Sequence, residues 1–237
     1  MSGEGIDRQQ PASEAVGQRE DHRIRVGRER RERMRRHLLH SVLQLRSLEG
    51  GRGAATIDDV IRHADVSRGT FYKYFASVDQ ATSELGLQLA AEMTVGIESV
   101  YDVLEDPVLR TATGFQMFLI RAMLEPDWGA FIAEIRLLSG DSIFTQKIRE
   151  DILLGMETGD YAVPSVEVAS DLLMGAKIEA IRRLIEGGGV EYIKAMATMV
   201  LRSFGVAAAK ADKSVAKAYN RLSVEAPGKV AWWRTVE

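Results

Sequence analysis

Apolar residues recur at helical intervals along most of this chain, and glycine or proline stands at nearly every place where the recurrence stops. Met34, Leu38, Val42 and Leu45 follow one another by four, four and three residues, which puts them on one face of a helix from Arg28 to about Leu48. Gly50-Gly51-Arg52-Gly53 ends that helix with backbone freedom a helix interior does not tolerate. The same punctuation recurs at Pro126, at Ser139-Gly140, between Gly159 and Pro164, and at Gly187-Gly188-Gly189. No stretch alternates with the period of two that a half-buried strand requires. The expectation is an all-α chain.

Between these breaks the elements are set by their caps. Thr56 opens a short helix whose buried stripe is Ile57, Val60, Ile61 and Ala64. The chain turns through Ala64-Asp65-Val66, and Ser67 caps a second short helix from Arg68 to about Tyr74, anchored inward by Phe71 and Phe75. Ser77 and Gln80 match a capping box and open a long helix to about Leu104, with Leu85, Leu89, Met93, Ile97 and Leu104 inside. Asp106-Pro107 starts a helix to Leu124, followed by helices over 127–138 and 141–157. Ser165 caps a helix to Glu186, Val190 starts one to about Ala209, and helix extends towards Leu222. Trp232 and Trp233 fall in a stretch without a readable pattern.

Charge divides the chain. Residues 1–80 carry 15 Lys and Arg against 12 Asp and Glu, while residues 81–237 carry 16 against 22. Nine arginines and four acids crowd into residues 19–36. A basic N-terminal part ahead of an acidic remainder points to a polyanion met at one end only. There is no cysteine, which removes disulfides, thiolate metal sites and a cysteine nucleophile and fits a reducing cytoplasm. No run of about 18 apolar residues is available to span a bilayer, and the N-terminus lacks the apolar segment of a secretory signal. His37 and His40 stand three residues apart with no carboxylate to complete a metal site; no metal, cofactor or catalytic residue is expected.

Two short helices joined by a tight turn, behind a third, make a helix-turn-helix. The second short helix would enter a major groove about 12 Å wide. Arg68 suits guanine or phosphate, Gly69 allows close backbone approach, and Thr70 suits a thymine methyl or a base edge. Ser67 caps that helix, Tyr72, Lys73 and Tyr74 are placed for phosphates, and Thr56 offers a hydroxyl and helix N-terminal N–H groups.

V-S-R-G-T-F-Y-K-Y-F, residues 66–75, closely resembles the recognition helix of the tetracycline-repressor (TetR) family of bacterial transcription regulators. The resemblance covers about thirty residues, 56 to the mid-80s. It departs where the family often has a phosphate-binding lysine, here Val78, and residues 56–80 hold four acids against three cations. The arginine-rich entry to the first helix is therefore expected to supply attraction. Residues 1–27 hold hardly any apolar residue and read as a flexible arm, and 210–237 reads as a C-terminal extension; between them the resemblance implies a DNA-binding domain over 28–76 and a regulatory and dimerisation domain over 77–209. It further implies a cytoplasmic homodimer on a palindromic DNA operator, repressing until a small-molecule effector binds.

The implied cavity lies between the fourth helix and those after it. Met93, Ile97, Tyr101, Phe115, Leu119, Met123, Trp128, Phe131, Ile135 and Leu173 are candidates to line it, each also readable as plain core. Lys177 borders the same apolar face, where it would hold an anionic ligand group or snorkel to solvent. Met174, Ile178, Ile181 and Ile185, with Tyr192, Met196, Met199 and Phe204, form stripes that suit a dimer seam or internal core. The alternative is a helical small-molecule-binding protein or enzyme with an incidental helix-turn-helix, although no catalytic motif occurs in residues 85–185.

Overall fold

The computed structural model describes residues 11–49, 55–101, 103–134 and 143–234, which form ten helices and no strand. The first is α1 (Pro11–Glu49), followed by α2 (Ile57–His63), α3 (Arg68–Tyr72) and α4 (Val78–Tyr101). Then come α5 (Pro107–Leu124), α6 (Pro126–Glu134), α7 (Ile143–Glu157), α8 (Val166–Ile185), α9 (Val190–Ser203) and α10 (Ala208–Lys229). The expected boundaries mostly hold. α1 differs by continuing back to Pro11, through residues expected to form an arm. The Gly50–Gly53 break lies outside the described residues.

Local chemistry explains most helix starts. Thr56 and Asp59 form a reciprocal capping box on α2, and Ser67 Oγ accepts the Thr70 N–H at the start of α3. Asp106 accepts the N–H groups of Val108 and Leu109 ahead of Pro107, and Ser165 accepts that of Val168. At α4, Ser77 accepts the Gln80 N–H, while the Gln80 side chain reaches back to the N–H of Ala76, one residue before the cap.

α1 to α3 bury a small core of Leu38, Leu39, Val42, Val60, Ala64, Phe71 and Phe75. The turn between α2 and α3 places Asp65 at φ +50°, a left-handed conformation that aspartate tolerates better than most residues. His37 Nε2 lies 2.8 Å from the Ala64 carbonyl oxygen and so ties α1 to the end of α2. Arg35 stacks over the Phe75 ring and pairs with Glu84, which joins α1 to the first turns of α4.

In the larger part, α5 is the central post. It is buried on nearly every face and touches α4 and every helix from α6 to α10. Gln116 is fully buried, and its amide donates to the carbonyls of Ala112 and Val215, linking α5 to α10. Ala211, Val215, Ala218, Leu222 and Ala226 form the buried face of α10. The C-terminal tryptophans, unreadable from pattern, are both buried, with Trp232 beside Gly96 of α4 and the Arg121 guanidinium.

α9 stops before the expected Ala209 because Gly205 takes φ +89° and ends it. A Cβ at Gly205 would also lie 2.9 Å from that of Ala162, whose N–H donates to the Phe204 carbonyl at 2.8 Å. Gly155 of α7 faces the Tyr161 ring so closely that a Cβ there would overlap it. That ring's hydroxyl lies 2.9 Å from the Pro107 carbonyl oxygen and 2.8 Å from Thr111 Oγ1, pinning α7 to the start of α5. Gly155→Ala should therefore destabilise the fold by about 1–3 kcal/mol in urea unfolding, the usual cost of overpacking. An unchanged midpoint would show that the ring can move aside freely.

Candidate nucleic-acid interface and inner cavity

The exposed side of the helix-turn-helix is built by what its apolar residues do. Phe71 and Phe75 stack 5.7 Å apart in the small core, which turns Arg68, Gly69, Tyr72 and Lys73 outward. Tyr72 is 52% exposed, unusual for a tyrosine with no solvent-facing task. Ser67 is exposed and Thr70 half-buried, their hydroxyls 2.9 Å apart.

Three expected contacts are differently placed. Tyr74 is half-buried against the domain core, so its ring is less available than that of Tyr72. The Thr56 N–H and hydroxyl both donate to Asp59, and these hydrogen bonds hold the Asp59 carboxyl below its ordinary range. A phosphate at this helix start therefore has to compete with an ionised carboxylate. Arg68 is likewise engaged: its Nη2 donates to Asp58 Oδ1 at 2.5 Å. Sequence reading missed this pairing because residues 58 and 68 sit on different helices.

Further basic residues are exposed on α1, which packs against α2. Arg28, Arg30, Arg31, Arg33 and Arg36 are all exposed on α1. His37 and His63 are spent on hydrogen bonds to Ala64 and Gln44, and no metal-binding cluster occurs among the described residues.

A second feature lies in the larger part, between α4, α5, α7 and α8. A small cavity of about 40 Å³ is lined by Ile97, Tyr101, Phe115, Phe118, Ile148 and Leu173 together with Thr94, Thr111 and Gly114. Four charged residues also reach it: Arg110, Lys147, Asp151 and Lys177. Five of the expected lining residues are there, namely Ile97, Tyr101, Phe115, Leu173 and Lys177. The others are corrected. Met93, Leu119 and Phe131 are fully buried core, Trp128 packs on Phe118 and Arg121, and Met123 is half-buried away from the space. Ile135 lies outside the described residues.

Lys177 does not snorkel; it is only 4% exposed, and its Nζ lies 4.3 Å from the centre of the Phe118 ring. Burial pushes its ammonium down to about 7. Burial likewise pushes the Asp151 carboxyl up to about 7, against the pull of the Arg110 Nε–H 2.7 Å away. Lys147 pairs with Glu98 at 3.2 Å.

The expected seam needs partial correction. Ile181 and Phe204 are fully buried inside the subunit, because α8 and α9 turn those positions onto α5 and its neighbours. Met174 is also buried, Ile178, Tyr192 and Met196 are half-buried, and Ile185 and Met199 are exposed. The exposed apolar face of α8 is instead Val168 and Leu172, one turn apart.

A three-helix head with an outward-facing recognition helix, on a helical domain with an inner cavity, defines a helix-turn-helix transcription regulator. Residues 48–80 match the model of the bacterial regulatory proteins of the tetR family, so this segment is a tetR-type DNA-binding segment. No curated protein matches the sequence. Among solved structures, RolR in complex with resorcinol is similar at 24% identity and TM-score 0.59, over 80% of this chain and 96% of RolR. A γ-butyrolactone receptor (ArpA-like protein) is similar at 14% identity and TM-score 0.55, over 81% and 97%. TylP, a tetR regulator from Streptomyces fradiae, follows at 15% identity and TM-score 0.52, over 81% and 98%. At these identities the likeness is one of fold.

The Asp58–Arg68 pair makes a direct expectation. Both side chains are more than half exposed, so the pair adds little stability. Asp58→Asn should leave folding intact, free Arg68, and raise affinity for random duplex DNA about threefold to tenfold at low salt. Unchanged fluorescence anisotropy titrations would mean that the pair does not compete with phosphate.

Proposed function

We propose that this protein is a ligand-responsive repressor that binds a palindromic operator as a homodimer. One observation carries the reading: α6 packs against α1 of the head and also against α5 and α8, two walls of the cavity. α4 makes a second link, since it touches α1 at one end and lines the cavity at the other. A ligand that alters the fit of α8 or α4 thus acts on helices that carry the head.

RolR holds resorcinol and the ArpA-like protein is a γ-butyrolactone receptor, so two proteins of this fold receive small organic molecules. That likeness supports a small effector here, without naming it. Effector and operator would each weaken the other's binding by one common factor, a coupling of about 1–3 kcal/mol.

Dimerisation would use the outer faces of α8 and α9, where Val168, Leu172, Ile185 and Met199 leave apolar surface exposed beside half-buried Ile178, Tyr192 and Met196. Twofold symmetry would then set the recognition helices about 34–36 Å apart, one turn of B-DNA, on an inverted repeat. Such a protein works on DNA in the cytoplasm; among the described residues no helix is long and apolar enough to cross a membrane.

Genomic footprinting of the purified protein should recover an inverted repeat. On a duplex carrying it, Arg68→Ala should cost about 1–3 kcal/mol of binding, the scale of one specific base contact. An Arg68→Ala variant that binds the repeat as tightly as the unaltered protein would remove the recognition helix from this role.

A further inference from the structure

We infer that the cavity takes a small aromatic carboxylate, its ring among Tyr101, Phe115 and Phe118 and its carboxylate paired with Lys177. This rests on the reading of the cavity as the effector site, and adds the ligand's chemical class to it.

Most charges in the cavity wall are paired. Arg110 is matched by Asp151 at 2.7 Å, and Lys147 is matched by Glu98 at 3.2 Å. Among the described residues Lys177 has no carboxylate within ion-pair distance, and its Nζ lies against the Phe118 ring. Yet it is almost wholly buried. An uncompensated ammonium in such a place costs far more than one cation–π contact returns. Leucine or methionine would fill the same position on α8 without that cost. Among the described residues the wall is thus one negative charge short, and a ligand can bring that charge.

The chemistry of the gap limits what fills it. Among the described residues Lys177 is the one cation of the wall without a carboxylate partner, and a single carboxylate matches it. A carboxylate accepts charge-assisted hydrogen bonds from the ammonium, strengthened by the low local dielectric. The rest of the lining is mainly aromatic and aliphatic, with Thr94 and Thr111 as neutral polar points. The enclosed space is small, about 40 Å³, so the ligand is no larger than a single ring partly held in the mouth. Depression of the Lys177 ammonium to about 7 agrees with this geometry, because burial without a counter-charge is its cause.

The test uses the full-length protein and calorimetric titration at pH 6.5 with benzoate, 3-hydroxybenzoate, benzamide and resorcinol as probes. Both carboxylates should bind at least about tenfold more tightly than benzamide, the neutral match of benzoate. Lys177→Met should abolish that preference while leaving benzamide affinity unchanged, and Lys177→Arg should retain part of it. Gly114→Phe, which directs a ring into the cavity, should abolish binding of every probe; Gly114 has room for a Cβ, the nearest atom being Tyr101 Cε2 at 3.7 Å.

Benzamide or resorcinol binding as tightly as the carboxylates, with all binding lost in Gly114→Phe, would overturn the ion pair and leave the cavity as the site. Carboxylate binding indifferent to Gly114→Phe would overturn the cavity reading itself. Absence of binding by all four probes would overturn the aromatic carboxylate class.

Discussion

The contact of α6 with both α1 and α8 is the constraint on which the rest of the molecule depends. It is a short helix, Pro126–Glu134, yet Trp128, Phe131 and Ile132 are all buried in it. Close-packed interiors do not deform smoothly, so a displaced α8 has to be answered by its neighbours. Arg121 strengthens this region: its guanidinium lies between the Trp128 and Trp232 rings and pairs with Glu92 of α4 and with Glu125. α4, α5, α6 and the C-terminal segment therefore meet at one buried cation. The two links from the cavity to the head, through α4 and through α6, share a support.

The head carries the opposite design. Its stability comes from caps and a few aromatics, and its surface keeps carboxylates beside the cations that would meet DNA. Asp59 occupies Thr56, and Asp58 occupies Arg68. If Thr56 and Arg68 meet DNA as proposed, each pair would be exchanged for phosphate or base, which would lower affinity for DNA in general more than affinity for a sequence that offers Arg68 a two-pronged partner. On the proposed reading, the exposed arginines of α1 would provide attraction that is indifferent to sequence. Affinity and discrimination thus fall to separate elements of the head.

What could be read from sequence divides along physical lines. Caps are local, so Thr56, Ser67, Asp106 and Ser165 announce their helices within three residues, and the recognition helix is legible as a continuous string. The cavity is not local. α5 is buried on nearly every face, so its periodicity cannot say that Phe115 and Phe118 face the space while Leu119 faces packed core. Arg110, Lys147 and Asp151 read as ordinary charges of amphipathic helices, because their partners lie far off in sequence or on another element. Ile181 and Phe204 looked like surface stripe for the same reason, since an apolar face is equally suited to a partner subunit and to α5. The tail with Trp232 and Trp233 has no periodicity to read, and its place is fixed by α4 and Arg121.

The central claim is that the state of the cavity sets the affinity of the head for DNA, and it can be tested without knowing the effector. Operator affinity should be compared by fluorescence anisotropy for the unaltered protein, Gly114→Ala and Gly114→Phe, each first checked for cooperative thermal unfolding. The Ala variant, whose Cβ meets only an ordinary contact with Tyr101, should match the unaltered protein. The Phe variant, with its ring occupying the cavity, should bind the operator about tenfold more weakly. Equal operator affinity in a folded Phe variant would contradict the coupling.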